Sequence, residues 1–432
     1  MNSSASHKKK RIGFISTRIS GTDGFSLEAR KWATIFKKLG HPIYYCAGEL
    51  DPGLRGMEVP EMHFAHPEVL WIHDHSFGRQ QRGAELMPRI QAMRTTLVKE
   101  IGEFVERFGI DVLIAQNNLA IPMNIPFGLA LADYIGQTGI PTIAHHHDFY
   151  WERDRFKVNC IPDLLNQAFP ADLPSLQHVV INTPAQQALF KQRGLESTVI
   201  PNIFDFSHAS PGISMFSRDL RGSLGLTANQ LMILQPTRVI RRKGIELSIE
   251  LVRRLRLPQN QRRLLGKEAR LVITHRAGDE GTEYMEELQA KAAVVKVPLI
   301  YAATRFGSRA ALVNHRKIYS LWDAYVQADF GTYPSRYEGF GNALLESIYF
   351  RMPLMVNRYN VYVADIAPLG FDLVEITGEI TDQTVDGVVQ AIIDPVRRHY
   401  MVEYNYQLAL DHFSYEAITP QLRALLGDPW SS

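Results

Sequence analysis

One stretch of this 432-residue chain limits its fold more than any other. It runs Ala328-Asp329-Phe330-Gly331-Thr332-Tyr333, then Pro334-Ser335-Arg336-Tyr337-Glu338-Gly339-Phe340-Gly341-Asn342, then Ala343-Leu344-Leu345-Glu346. The first six residues lean apolar and read as a strand. Pro334 and Ser335 end it, and Gly339 and Gly341 let the backbone turn tightly and approach a ligand. Asn342 is placed to cap a helix that opens at Ala343. A strand, a glycine turn and a helix start present free N–H groups at the positive end of a helix dipole, which suits a phosphate. Two carboxylates bracket that place: Glu338 in the turn and Glu346 one turn into the helix.

The same alternation runs through the chain. Arg11–Thr17 reads as a buried strand. A glycine turn, Ser20–Ser26, follows it, then a helix with Phe25, Ala29, Trp32, Ala33 and Phe36 on one face. On this pattern Glu28, Lys31 and Lys38 lie away from the core. Residues 49–85 read as irregular, with an aromatic and histidine-rich piece at Trp71–Phe77. A helix over 85–108 leads to a strand at Asp111–Asn117, and a further helix runs to Gly139. Strands at 178–181 and 197–200 close the first half. Pro201–Asp205 and Ser210-Pro211-Gly212 read as a linker. Strands at 231–235, 271–274, 299–301 and 354–356 then alternate with helices, and a last helix spans about 414–426. Two doubly wound α/β, Rossmann-like domains facing a cleft are expected, residues 1–205 and 206–413.

Length agrees, since a chain of this size splits into two domains rather than growing one core. A net charge of +2, from 47 basic and 45 acidic residues, offers no global field for nucleic acid or an anionic membrane. Two cysteines, Cys46 and Cys160, do not make a disulfide scaffold and fit a reducing cytoplasm. The polar start, Met1–Lys10, is no signal peptide, and no apolar run reaches the ~20 residues of a membrane span.

A second turn follows another strand: Pro236-Thr237-Arg238-Val239-Ile240-Arg241-Arg242-Lys243-Gly244. An Arg fork can hold an anion bidentately, and Lys adds a point charge. Arg241 and Arg242 fit a solvated basic turn. In Thr142-Ile143-Ala144-His145-His146-His147-Asp148, strand periodicity puts His145 and His147 on one face and His146 on the other. Polar residues at the carboxyl end of a parallel strand are where open α/β sheets bind ligands.

Glu338-x7-Glu346 around Gly339-Phe340-Gly341 resembles the sugar-nucleotide signature of retaining GT-B glycosyltransferases, in particular family four (glycosyltransferases group 1). Arg238-x4-Lys243-Gly244 matches that family too. The resemblance is most specific between Arg238 and Pro353. It implies that Glu338 holds hydroxyls of the donor sugar, that Glu346 holds the ribose, and that Arg238 and Lys243 clamp the diphosphate. Gly21, Gly24, Gly339, Phe340, Gly341 and Asn342 would complete the donor site. His147, followed by Asp148, would sit at the reacting centre, with His146, Asp148, Glu152 and Asp23 toward the acceptor. The final helix, about 414–432, would cross back onto the first domain.

The expected activity is transfer of a hexose from a nucleoside diphosphate sugar to a hydroxyl acceptor, with no metal and no other cofactor. The chain has no Asp-x-Asp, the usual metal-binding device of sugar-nucleotide enzymes. The acceptor is left open among a small molecule, a glycan and a lipid-linked sugar, the base among GDP, UDP and ADP, and a homodimer is compatible. Departures from the family pattern are Ile348–Met352 before Pro353, and Asn357–Tyr362 where a Gly-Gly loop is usual. Rival readings are a phosphorylase or epimerase of the same fold, a binding protein without turnover, and a metal-dependent hydrolase built from His73-Asp74-His75 and His145-His147-Asp148.

Overall fold

The computed structural model describes residues 9–21, 24–277 and 281–427. The chain divides into two compact units: one runs to Asn202 and takes in Ile418 onward, and the other is Ile203–Ala417.

The first unit is built on β1 (Ile12–Ser16), β2 (Ile43–Ala47), β3 (Gly56–Glu58), β4 (Val112–Gln116), β5 (Thr142–His146), β6 (Leu176–Val180) and β7 (Thr198–Val199). They form one parallel sheet in the order β3-β2-β1-β4-β5-β6-β7. All five residues of β1, β2, β4 and β5 are buried, as expected where helices cover both faces of a sheet.

The second unit repeats the plan with β8 (Gln230–Gln235), β9 (Glu268–Ile273) and β10 (Leu299–Tyr301). A small sheet of β11 (Phe306–Gly307), β12 (Ala311–Val313) and β13 (Arg316–Ser320) intervenes, and the sequence pattern gave no sign of it. Then come β14 (Phe330–Tyr333), β15 (Leu354–Asn357) and β16 (Val374–Ile376). The main sheet is parallel with the order β10-β9-β8-β14-β15-β16. In each unit the strand order reverses beside the first strand, at β1/β4 and at β8/β14. The loops leaving such a pair diverge to opposite faces and open a crevice at the carboxyl ends.

Three expectations need correction. Residues 67–76 are a helix, not an irregular segment: Pro67 starts it, His66 accepts the Glu68 N–H, and only Val69, Ile72 and Ser76 are buried, too few to show a clear period. Glu28 is buried on the helix Gly24–Lys38 and pairs with Lys31, because that helix is covered more broadly than its apolar stripe. The cap of the helix Asn342–Tyr349 is Gly341, with Asn342 its first residue, because φ +145° at that cap is glycine's territory.

Candidate active site

Two loops leave the carboxyl ends of the paired strands β8 and β14, and they are knitted together. Gln235, fully buried at the end of β8, accepts from Ser248 Oγ (2.7 Å) and Thr332 Oγ1 (2.8 Å) and donates to Thr237 Oγ1 (2.8 Å). Beyond it, Arg241–Lys243 make a 3-10 turn that ends on Gly244 in the left-handed region, φ +60°. A Cβ on Gly244 would stand 2.5 Å from the Pro334 carbonyl oxygen, so the second loop lies directly against the first. The Arg336 N–H donates to the Arg242 carbonyl (2.8 Å).

This contact brings the candidate charges together. Lys243 Nζ pairs with Glu338 Oε1, and Arg242 Nη1 donates to Glu338 Oε2 (2.9 Å) and to the Tyr337 carbonyl (2.8 Å). Arg242 was read as a solvated turn residue, and the structure corrects that: its partners lie 95 and 96 positions away. Arg241 does face solvent, paired with the exposed Glu287. Burial holds the Lys243 ammonium below its ordinary value, against the pull of Glu338, with Arg242 and Arg238 adding repulsion. Burial pushes the Glu338 carboxyl up, but the charges of Lys243 and Arg242 outweigh it, and it stays ionised. Arg238 is exposed at the same loop.

The rest of the turn is held by residues beyond the motif. Glu346 Oε2 accepts from Tyr325 Oη (2.6 Å). Phe340 is buried, and its carbonyl accepts from Tyr359 Oη (2.6 Å). Asn357 Nδ2 donates to the Ser335 carbonyl (3.0 Å). The segment Asn357–Tyr362 therefore braces the signature turn. Gly339 and Asn342 are half-buried and Gly341 is buried.

In the first unit the three histidines part company. The His145 ring stacks on Trp32, centroids 4.1 Å apart, and His146 Nε2 meets His178 Nδ1 at 2.9 Å. Burial holds both well below the ordinary imidazole value, so both are neutral. His146, at 1 % exposure, is a core residue. His147 lies beyond β5: its N–H donates to Asn117 Oδ1 (2.9 Å), and its Nε2 lies 3.4 Å from Gln116 Oε1. Asp148 accepts from Asn117 Nδ2 (2.9 Å) and Arg153 Nε (2.7 Å). It is Gln116 and Asn117, at the end of β4, that hold His147. Sequence reasoning passed over them, although the polar run Gln116-Asn117-Asn118 after four apolar residues marked a strand end. Glu152 is exposed on a 3-10 turn.

Gly21 adopts φ +72°, its N–H donates to Asp51 Oδ1 (3.1 Å), and Arg30 ties its carbonyl and Asp51 together. Gly24 opens the next helix, and Asp23 lies outside the described residues. Among the described residues no group of three or more His, Cys, Asp or Glu side chains is placed to hold a metal. His73 lies beside Asp74 (3.6 Å) and packs on Phe77. No helix among the described residues is long and apolar enough to cross a membrane.

Residues 216–408 match the family model described as glycosyl transferases group 1. The chain is 32% identical over 380 residues to a mannosylglucosylglycerate synthase of Petrotoga mobilis, covering 84% of this chain and 86% of that one. It is 30% identical over 436 residues to the enzyme of the same name from Thermotoga maritima, covering 94% and 97%. The chain belongs to the group 1 glycosyl transferases. Solved structures agree on the fold: sucrose-phosphate synthase from Thermosynechococcus elongatus has a TM-score of 0.63 at 14% identity, covering 97% of this chain and 98% of that one. A UDP-forming trehalose-phosphate synthase from Burkholderia xenovorans has 0.64 at 13%, covering 98% and 100%. The GT-B fold expected from the resemblance is the one observed. In this group 1 glycosyl transferase Glu338 meets Arg242 and Lys243 of the basic turn beside the β8/β14 switch point, and Glu346 lies on the helix that follows β14.

Proposed function

We propose that this glycosyltransferase moves a hexose from a nucleoside diphosphate sugar to a hydroxyl, with retention and without a metal. The observation that carries this is the junction of Arg238-x4-Lys243 with Glu338-x7-Glu346 at the ends of two neighbouring strands. A departing diphosphate gathers negative charge in the transition state, and cations held at the site stabilise it. Arg238 and Lys243 supply them, and the helix start after Gly341 adds N–H donors. Glu338 takes donor-sugar hydroxyls and Glu346 the ribose. His147, held by Gln116 and Asn117, positions the reacting hydroxyl, and the leaving phosphate takes its proton, so no enzyme nucleophile is required.

Both curated relatives are named for a product with mannosyl, glucosyl and glycerate parts. We assign this chain the same kind of step, mannosyl transfer to a soluble glucosylglycerate, working in the cytoplasm. The test is a thermal-shift panel of GDP-, UDP- and ADP-mannose, then a transfer assay on glucosylglycerate. One nucleotide sugar should raise the melting temperature by mass action and be consumed with acceptor. No stabilisation by any of them, or release of mannose from mannose phosphate instead, would overturn the reading.

A further inference from the structure

Glu338 faces two cations where a simple ion pair needs one. Its Oε1 meets Lys243 and its Oε2 meets Arg242 Nη1 at 2.9 Å. The two cations differ in what else holds them. The Lys243 ammonium is buried, its side-chain hydrogen bond among the described residues goes to Glu338, and it stands 5.5 Å from the Tyr333 ring centroid. Arg242 is anchored independently: the same Nη1 donates to the Tyr337 carbonyl, and its own carbonyl accepts from Arg336 N–H. One cation is on a flexible stem and can leave, whereas the other is sewn into the signature loop.

We infer that Arg242 is a positioning residue, the standing counter-ion that keeps Glu338 ionised and aimed when Lys243 turns to the donor's diphosphate. This rests on the donor reading given above. Without substrate, Lys243 and Glu338 neutralise each other. When a diphosphate draws Lys243 away, a carboxylate left alone in that buried place would take up a proton and become a poorer acceptor for sugar hydroxyls. Arg242 prevents that. The other groups facing Glu338 cannot substitute for it. The Ser335 hydroxyl carries no charge. The Tyr333 and Tyr359 hydroxyls, raised by burial first and by the Glu338 charge second, stay protonated. Arg238 adds repulsion at Lys243.

The test is the pH profile of kcat, which reports ionisations in the substrate-bound complex. Wild type, Arg242→Ala, Arg242→Lys and Arg241→Ala are compared with whichever of GDP-, UDP- or ADP-mannose binds, and with glucosylglycerate. Arg242→Ala should lose about 100-fold in kcat and move its acid limb up by about one pH unit. Arg242→Lys should restore the limb, and Arg241→Ala, whose exposed side chain pairs with exposed Glu287 and lies over the Tyr284 ring, should match wild type. Should Arg242→Ala not fold, Arg242→Gln supplies the same readout. A rate loss with an unmoved limb would make Arg242 a mere loop tether and overturn the inference, leaving the donor reading intact. Wild type that binds none of the three donors would overturn both.

Discussion

Lys243 and Glu338, 95 residues apart in the chain, meet as an ion pair with 9% of each side chain exposed. A buried pair resists removal of one partner far more than replacement of both, since the single change strands a charge. Glu338→Ala, which strands the buried Lys243, should cost about 3–5 kcal/mol, whereas Lys243→Met leaves Glu338 paired with Arg242 and should cost less; both should abolish transfer. The double variant Lys243→Met/Glu338→Leu should regain much of that stability and none of the activity. Denaturant melts and a transfer assay separate the two effects. A stable double variant that still transfers sugar would remove both residues from the donor site.

Gly341 tests the turn itself. Its φ of +145° is open to glycine, and a Cβ there would stand 2.6 Å from Tyr359 Oη. Gly341→Ala should therefore raise the donor KM and lower the melting temperature. Adding Tyr359→Phe removes the steric clash but not the backbone strain, and it also frees the Phe340 carbonyl. The pair should recover only in part. Full recovery would mean that sterics alone select glycine here.

The buried histidines set an acid limit. His145, His146 and His178 are held low by burial, His178 at about 4. Their folded values lie below the ordinary ~6.5, so between the two the unfolded chain binds more protons. Stability should then fall as pH drops from about 6.5 toward 4. Chemical denaturation at a series of pH values measures the slope, and His178→Gln should flatten it. A flat profile in wild type would show that these rings are charged in the fold.

The sequence disclosed what is local. Central strands such as β1, β4 and β8 read as apolar runs because parallel strands are buried on both faces, and the glycine turn after β14 was visible in its own residues; the short edge strands β3 and β16 were not. What stayed hidden depends on partners far along the chain. Arg242 resembles any basic turn residue until Glu338 arrives from 96 positions away, and His146 reads as an acceptor contact until its Nε2 meets His178, 32 positions on, in the core. The helix Pro67–Ser76 was missed for a different reason. With three buried positions among half-buried histidines and two acidic residues, its period is too faint to see.

Metal removal tests the source of transition-state stabilisation. If the cations of Arg238 and Lys243 carry the diphosphate charge, EDTA should leave the transfer rate unchanged, because these groups are part of the fold. Lys243→Met should lose at least about 100-fold in kcat. Added Mg²⁺ should not restore it, because the carboxylates at the site are already engaged: Glu338 by Arg242, and Glu346 by Tyr325. The Glu346 contact is open to its own check, since Tyr325→Phe removes that hydrogen bond and should raise the donor KM severalfold with kcat little changed. A wild-type rate that collapses in EDTA and returns with Mg²⁺ would move the charge from this basic turn to a metal.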